Sequence, residues 1–483
     1  MQINNKFKNI VEVNKLMDNI KNKNTKILRV FLGIMLIFFF IGCSTNNNTT
    51  EEQKKDKNVL FIIVDDLKTT LGTYGHPIVK SPNIDKLAKS GVQFNNAYCN
   101  FAVCGPSRGS FLTGLRPETI NILDNVTPLQ SVLGDKITLP NLFKKNGFET
   151  MGIGKTFHDK TEEHEDMKAW DAYYKFETTE LGQQGEQRNL TNGEFPWCYW
   201  QAAEGTDDDQ QDGQVAKKAV ELIKTKRDKP FFLAVGLHKP HDAYIAPKKY
   251  FDMYPLEDCT PHIVPDGWKP PYPHTLLSWS KIFDKFTDND KREFLRSYYA
   301  CTSFMDAQVG RILDALEESG QMDNTLIVLF GDHGYHLGEN SWWNKVTVYE
   351  EGTNAPFIMA GNAVGKKGIK SDAMFEFIDI YPTLAEIMNL KNTPDYLEGK
   401  SFASLVEDPE LPFRDQVHAV TKRGEILGRM VKNIEWRYIE WDHGNQGSEL
   451  YNQKEDPLEY NNLAQNTEYA DVIVEMKKLL NQK

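Results

Sequence analysis

Three uninterrupted apolar runs punctuate the chain, at 58–64 (NVLFIIV), 231–237 (FFLAVGL) and 325–330 (TLIVLF). Runs without alternation predict strands buried on both faces, as in a sheet covered by helices. Polar chemistry follows each at once: Asp65-Asp66, His238-Lys239-Pro240-His241 and Gly331-Asp332-His333-Gly334. A shorter strand is expected in Met151-Gly-Ile-Gly, delivering Lys155 and His158 to its end. Helical spacing appears between the runs. Pro82 to Gly91 carries Ile84, Leu87 and Ala88, and 138–146 and 215–226 read the same way. A long amphipathic stretch covers 287–320, with Phe294, Leu295, Tyr298, Phe304, Val309, Ile312, Leu313 and Leu316 on its core face. The run 356–360 and a helix over 375–389 complete an α/β pattern.

The texture changes after about residue 409. Short alternating stretches at 417–420, 426–430, 437–441 and 449–451, then a helix over 469–480, predict a small antiparallel subdomain with a helix on it. Residues 159–213 are charged, aromatic and poorly periodic; so long an irregular stretch carries function or wraps the surface. Within it, Asp207-Asp208-Asp209 reads as a solvated loop rather than a cation site.

At the N-terminus, Lys21, Lys23, Lys26 and Arg29 precede an apolar run of 13 residues, 30–42. That is the length of a signal-peptide core and too short to span a bilayer. It ends Phe40-Ile41-Gly42-Cys43, which resembles a bacterial lipobox with Phe40 where leucine is usual. The expectation is a signal peptide over 1–43 with Cys43 lipidated, or else an uncleaved membrane anchor, with Met17 as an alternative start. Either places the protein in the bacterial cell envelope, membrane-attached. Residues 44–57 read as a flexible tether. The expected organisation is leader 1–43, tether 44–57, main domain 58–408 and C-terminal subdomain 409–483.

The net charge of −12 argues against a nucleic-acid partner, which needs a basic face. It leaves open an anionic small substrate in a locally positive pocket. None of the six cysteines has zinc-finger or CxxC spacing. Cys99, Cys198, Cys259 and Cys301 are either disulfide partners or buried thiols.

The densest chemistry lies in Cys104-Gly-Pro-Ser-Arg108-Gly-Ser-Phe-Leu-Thr-Gly114. Small residues and a proline predict a turn entering a helix, with Cys104 where backbone N–H groups favour an anion and Arg108 one turn on. Asp65-Asp66 after a strand is a cation site or a solvated acidic turn. Asp332-His333 repeats that arrangement, with Lys345 beyond it.

C-x-P-S-R followed by L-T-G resembles the signature of the type I sulfatase family. The ordered segments VDDL, SPNID, GK-x-F-H, FFLAVG-x-HKPH, QVGR, DHG-x-x-LGE and ELY are similar to iduronate-2-sulfatase-like bacterial lipoprotein sulfatases. The resemblance implies an alkaline-phosphatase-like fold, with a large mixed central sheet flanked by helices and a small C-terminal α+β subdomain. It implies that a formylglycine-generating maturation enzyme converts Cys104 to formylglycine (3-oxoalanine). It gives a metal set of Asp65, Asp66, Cys104, Asp332 and His333 around one divalent cation, calcium by family and magnesium or manganese as alternatives. Arg108 would stabilise the ionised hydrate, Lys155 and Lys345 would pair with sulfate oxygens, His238 would protonate the leaving alcohol and His158 would take the hydrate proton. The implied substrate is a sulfated polysaccharide or oligosaccharide with a uronic acid, of glycosaminoglycan or ulvan type. The rivals are a phosphatase or phosphonate hydrolase of the same superfamily, and a non-catalytic surface protein that captures sulfated glycans.

Overall fold

The computed structural model describes residues 57–158 and 161–482. The leader, Cys43 and most of the tether lie outside the described residues. Among the described residues fifteen strands run in chain order: β1 (Asn58–Val64), β2 (Gly91–Tyr98), β3 (Glu149–Gly154), β4 (Ala172–Tyr174), β5 (Gly185–Asn189), β6 (Tyr199–Ala203), β7 (Phe231–Leu237), β8 (Tyr244–Pro247), β9 (Thr325–Gly331), β10 (Phe357–Ala360), β11 (Ile369–Glu376), β12 (Val417–Arg423), β13 (Ile426–Lys432), β14 (Trp436–Trp441) and β15 (Ser448–Asn452). The helices that matter here are α1 (Pro82–Ser90), α2 (Cys104–Thr113), α3 (Gln211–Lys224), α4 (Asp288–Glu318), α5 (Ile380–Ile387) and α6 (Ala470–Leu480).

The three apolar runs lie side by side. The central sheet has the order β11-β2-β10-β9-β1-β7-β3-β4. β1 pairs in parallel with β7 and β9, so Val64, Leu237 and Gly331 finish on one edge of the sheet. β10 runs antiparallel to both its neighbours, which makes the sheet mixed. Alternate residues of β1 feed two cores, as the two-residue strand period requires. Val59, Phe61 and Ile63 meet Phe111, Phe330 and Phe357 on one face. Leu60, Ile62 and Val64 meet residues of α1, α3 and α4 on the other. The continuous hydrophobicity follows from that double burial.

β12–β15 form an antiparallel sheet in sequential order, with Met476 and Leu480 of α6 packed on it. Its other face enters a third core, where Met430, Ile439 and Trp441 meet Tyr244, Phe294 and Trp342. No helix among the described residues is long and apolar enough to cross a membrane.

Several elements differ from the sequence reading. β2 lies inside the sheet, although polar Gln93, Asn95 and Asn96 interrupt its apolar pattern. The expected helix 375–389 is shorter, because Phe375 and Glu376 complete β11 and the helix spans Ile380–Ile387. The stretch 159–213 supplies β4 to the central sheet, and β5 and β6 to a three-stranded sheet with β8. Asp207–Asp209 form a short 3₁₀ turn in that stretch. Asp207 pairs with Lys249 at 2.7 Å, and Asp208 with Lys217 and Arg311 at 3.2 and 2.8 Å, so their role is to fasten the segment. Cys99, Cys104, Cys198, Cys259 and Cys301 are all buried free thiols.

Candidate active site

The site lies where β1, β3, β7 and β9 end, as ligand sites in parallel sheets do. Asp65 and Asp66 follow β1 and are fully buried. Asp66 adopts a left-handed backbone, φ 60°, which turns its carboxylate inward. Tyr298 of α4 fixes that turn by donating to the Asp66 carbonyl at 2.6 Å. Asp332 follows β9; its N–H donates to Val64 O, and its Oδ1 accepts from Asp66 N at 3.1 Å. The two acidic loops are thus one structure.

α2 starts at Cys104, after an extended Val103, and every residue in it is buried. The Cys104 Sγ lies 3.1 Å from Lys345 Nζ and 3.5 Å from His333 Nε2. One turn on, Arg108 Nε donates to Asp332 Oδ2 at 2.9 Å, and Nη2 lies 3.5 Å from Asp65 Oδ1. Its Nη1 donates to the carbonyls of Lys155 and Thr156, which follow β3. The Lys155 Nζ contacts Asp65 Oδ2 and the Lys345 Nζ contacts Asp66 Oδ1, both at 2.5 Å.

The turn after β7 is held by Asp212 of α3, whose two oxygens accept from His238 N and Lys239 N at 2.8 Å each. His238 Nδ1 lies 3.9 Å from Asp65 Oδ2. His241, which the sequence reading set aside, lies equally near, with Nε2 4.0 Å from Asp65 Oδ2 and 3.9 Å from Asp66 Oδ2. The rings of His238 and His241 are 4.9 Å apart. His158 is half-buried, without a hydrogen bond at Nδ1, and faces His164 at 5.4 Å.

Lys345 comes from a loop under tension. Val346, a β-branched residue, has φ 69°. Three bonds hold it: Trp342 Nε1 donates to Lys345 O at 2.7 Å, Val346 N to Ala102 O, and Arg423 of β12 to Val346 O. The last bond ties the C-terminal sheet to the site.

Burial and crowded charge set the protonation. Burial drives Asp66 and Asp332 up to about 6, although Lys345 and Arg108 respectively pull the other way. Burial pushes Asp65 in the same direction, but Lys155, His241 and Arg108 outweigh it and hold it well below the usual range. Burial and then Asp65 raise the Cys104 thiol to about 12. Burial and Lys345 lower His333 to about 4, and burial and Lys155 lower His158 to about 3.

These residues fit a divalent cation. Asp65, Cys104, Asp332 and His333 each offer an atom within 4.8 Å of the others, and so do Asp65, Asp66, Cys104 and His241. Asp65 Oδ1 and Asp66 Oδ2 are buried with no hydrogen-bond partner, which is costly unless a cation takes them. A mostly oxygen donor set suits a hard ion. Asp65, Asp66, Cys104, Arg108, Lys155, His238, Asp332, His333 and Lys345 are brought together in this cluster, whereas His158 follows Lys155 out of it and feels the charges of Lys155, Asp65 and Arg108 without touching them. The sequence reading missed His241 and the supports Asp212 and Tyr298. His241 shared a turn with His238 and could have been included; the other two lie on distant helices with no local signal.

Comparison with known proteins gives the family and the fold. The family model described as "Sulfatase" matches residues 57–390, and one described as "N-sulphoglucosamine sulphohydrolase, C-terminal" matches 338–483. The chain is 35% identical to a "Sulfatase" of Formosa agariphila, over 88% of this chain and 86% of that protein. It is 31% identical to "Iduronate 2-sulfatase" of Homo sapiens, over 86% of this chain and 92% of that one. Its fold is similar to a solved structure in complex with its substrate D-glucosamine-2-N,6-O-disulfate, with a TM-score of 0.73, 21% identity, and coverage of 89% of this chain and 97% of that one.

Proposed function

The chain belongs to the sulfatase family, whose members are sulfuric ester hydrolases, and we propose that it removes sulfate from sulfated oligosaccharides bearing a uronic acid. The observation that carries the reading is Cys104 at the start of α2, with Lys345, His333 and Arg108 around the acidic cluster. Maturation of Cys104 to formylglycine by a generating enzyme would supply an aldehyde whose hydrate gives the oxygen nucleophile. Asp65, Asp66, Asp332 and His333 would hold the cation, calcium by family, which would polarise a sulfate oxygen.

The other residues supply charge and protons. Lys155 and Lys345, now on Asp65 and Asp66, are within reach of sulfate oxygens once a cation satisfies those carboxylates. Arg108 is fixed by Asp332 and two carbonyls, so its remaining donor points at the Asp65 side without reorganising. His238 would protonate the departing sugar oxygen, and half-buried His158 would accept a proton in the second step. The lipobox-like leader supports a lipid-anchored enzyme in the bacterial envelope.

A uronate carboxylate adds a second anion that cationic groups near the sulfate site would favour. Support for this substrate comes from the likeness to iduronate 2-sulfatase and from the shared His238-Lys239-Pro240-His241 and Asp332-His333-Gly334-Tyr335 segments. The test is desulfation of matched oligosaccharides with and without the uronic carboxylate. A preference in kcat/KM for the carboxylated one is expected; equal values reject uronate recognition. Parallel assay of an aryl sulfate and an aryl phosphate separates the phosphatase rival, and catalytic turnover itself rejects a passive glycan binder.

A further inference from the structure

Three aromatic side chains that the site does not use gather on loops that adjoin those carrying it. β6 runs parallel to β8, with Trp200 opposite Tyr244. The turn that leads into β6 therefore lies beside the His241-Asp242-Ala243 turn. Asp242 adds to burial in pushing the Cys198 thiol up to about 12, which agrees with that proximity. The turn carries Phe195 and Trp197, half-buried, with rings stacked at 5.6 Å and 23°.

Trp279 arrives from a different part of the chain. Its ring lies 5.2 Å from Phe195 and 5.7 Å from Trp197, and it is also half-buried. Beneath it, at 4.9 Å, is the fully buried Trp342, whose indole donates to Lys345 O. The three rings thus bridge the two loops that reach the reacting centre, the His238–Asp242 turn and the Lys345 loop. One side of the trio is packed into the third core, and the other is open. Keeping indole surface open to water is unfavourable, and rings placed at the rim of a binding site recover that cost when a ligand covers them.

We propose that Phe195, Trp197 and Trp279 form a stacking subsite for the sugar ring adjoining the sulfated one. This rests on the sulfated-carbohydrate reading and adds a chain-length preference to it. A pyranose presents a C–H face that is apolar and matches an indole face, while its hydroxyls stay in water. The aromatic density of the 159–213 stretch thereby acquires a function that its lack of periodicity concealed.

The experiment compares a sulfated monosaccharide with a tetrasaccharide carrying the same terminal sulfated sugar, and includes an aryl sulfate. For Trp197→Ala and Trp279→Ala, the ratio of kcat/KM on tetrasaccharide to that on monosaccharide should fall about tenfold, mainly through KM. Trp197→Phe should recover most of it. The ratio does not depend on the fraction of enzyme folded, so partial unfolding cannot mimic the effect. An unchanged ratio in both alanine variants overturns the subsite and leaves the carbohydrate reading standing. Wild-type enzyme that cleaves aryl sulfate but neither saccharide overturns the carbohydrate reading, and the subsite with it.

Discussion

Two histidines stand equally close to Asp65, and their roles separate by leaving group. A general acid matters most when the departing oxygen is a poor leaving group. His238→Ala is expected to slow desulfation of a saccharide by about 10²–10⁴-fold, while an aryl sulfate with an acidic phenol loses far less. Equal losses on both would assign His238 to binding. The metal residues give a second expectation. Asp65→Ala or Asp332→Ala deletes an anionic oxygen ligand, so bound cation and activity should disappear together, as elemental analysis beside an assay will show. Stoichiometric metal retained in both variants would mean another ligand set. At this scale the sequence was largely legible, because Asp65, Lys155, His238 and Asp332 each directly follow a strand and Cys104 starts a helix. His241 shares the turn of His238, and only its distances of 4.0 and 3.9 Å to Asp65 and Asp66 give it equal standing.

Elements are positioned by polar contacts that no periodicity reveals. Asp212 shows this best. It belongs to the first turn of α3, yet it accepts from both N–H groups, of His238 and Lys239, that orient the turn after β7. Asp212→Ala leaves those two partly buried donors without their partner, at a cost of up to about 1–3 kcal/mol each. The expected outcome is a lower melting temperature and a fall in kcat larger than the change in KM, with partial recovery in Asp212→Asn. The buried strands β1, β7 and β9 were readable because double burial makes them uniformly apolar. β2 was not, since Gln93 and Asn95 pair with Thr73 and Asp372 and so break the pattern while serving the structure. β5, β6 and their aromatic turn escaped because their partner β8 is distant in sequence.

At the scale of the whole molecule, buried charge ties the C-terminal sheet to the segments packed against it. Arg437 of β14 pairs with Glu350 and with Glu459 of the C-terminal segment, and Lys432 lies 3.2 Å from Glu350. Burial alone would raise Glu350, but Lys432 and Arg437 outweigh it and bring it down to about 2. An unfolded glutamate titrates at about 4.3, so this group stabilises the fold fully above that pH and loses its contribution as pH falls toward 2. Glu350→Gln should therefore show a shallower loss of melting temperature between about pH 4.5 and 2.5 than wild type. Arg437→Met takes the cation from buried Glu459 and leaves Glu350 to Lys432 alone, and should cost about 3–5 kcal/mol by chemical denaturation. Above this framework stands the central claim that Cys104 is the source of the nucleophile in a sulfatase. The direct measurement is sulfate release from an aryl sulfate by enzyme co-produced with a formylglycine-generating enzyme, set beside Cys104→Ala made the same way. The account predicts turnover by the first and none by the second; sulfate release that survives Cys104→Ala would contradict it.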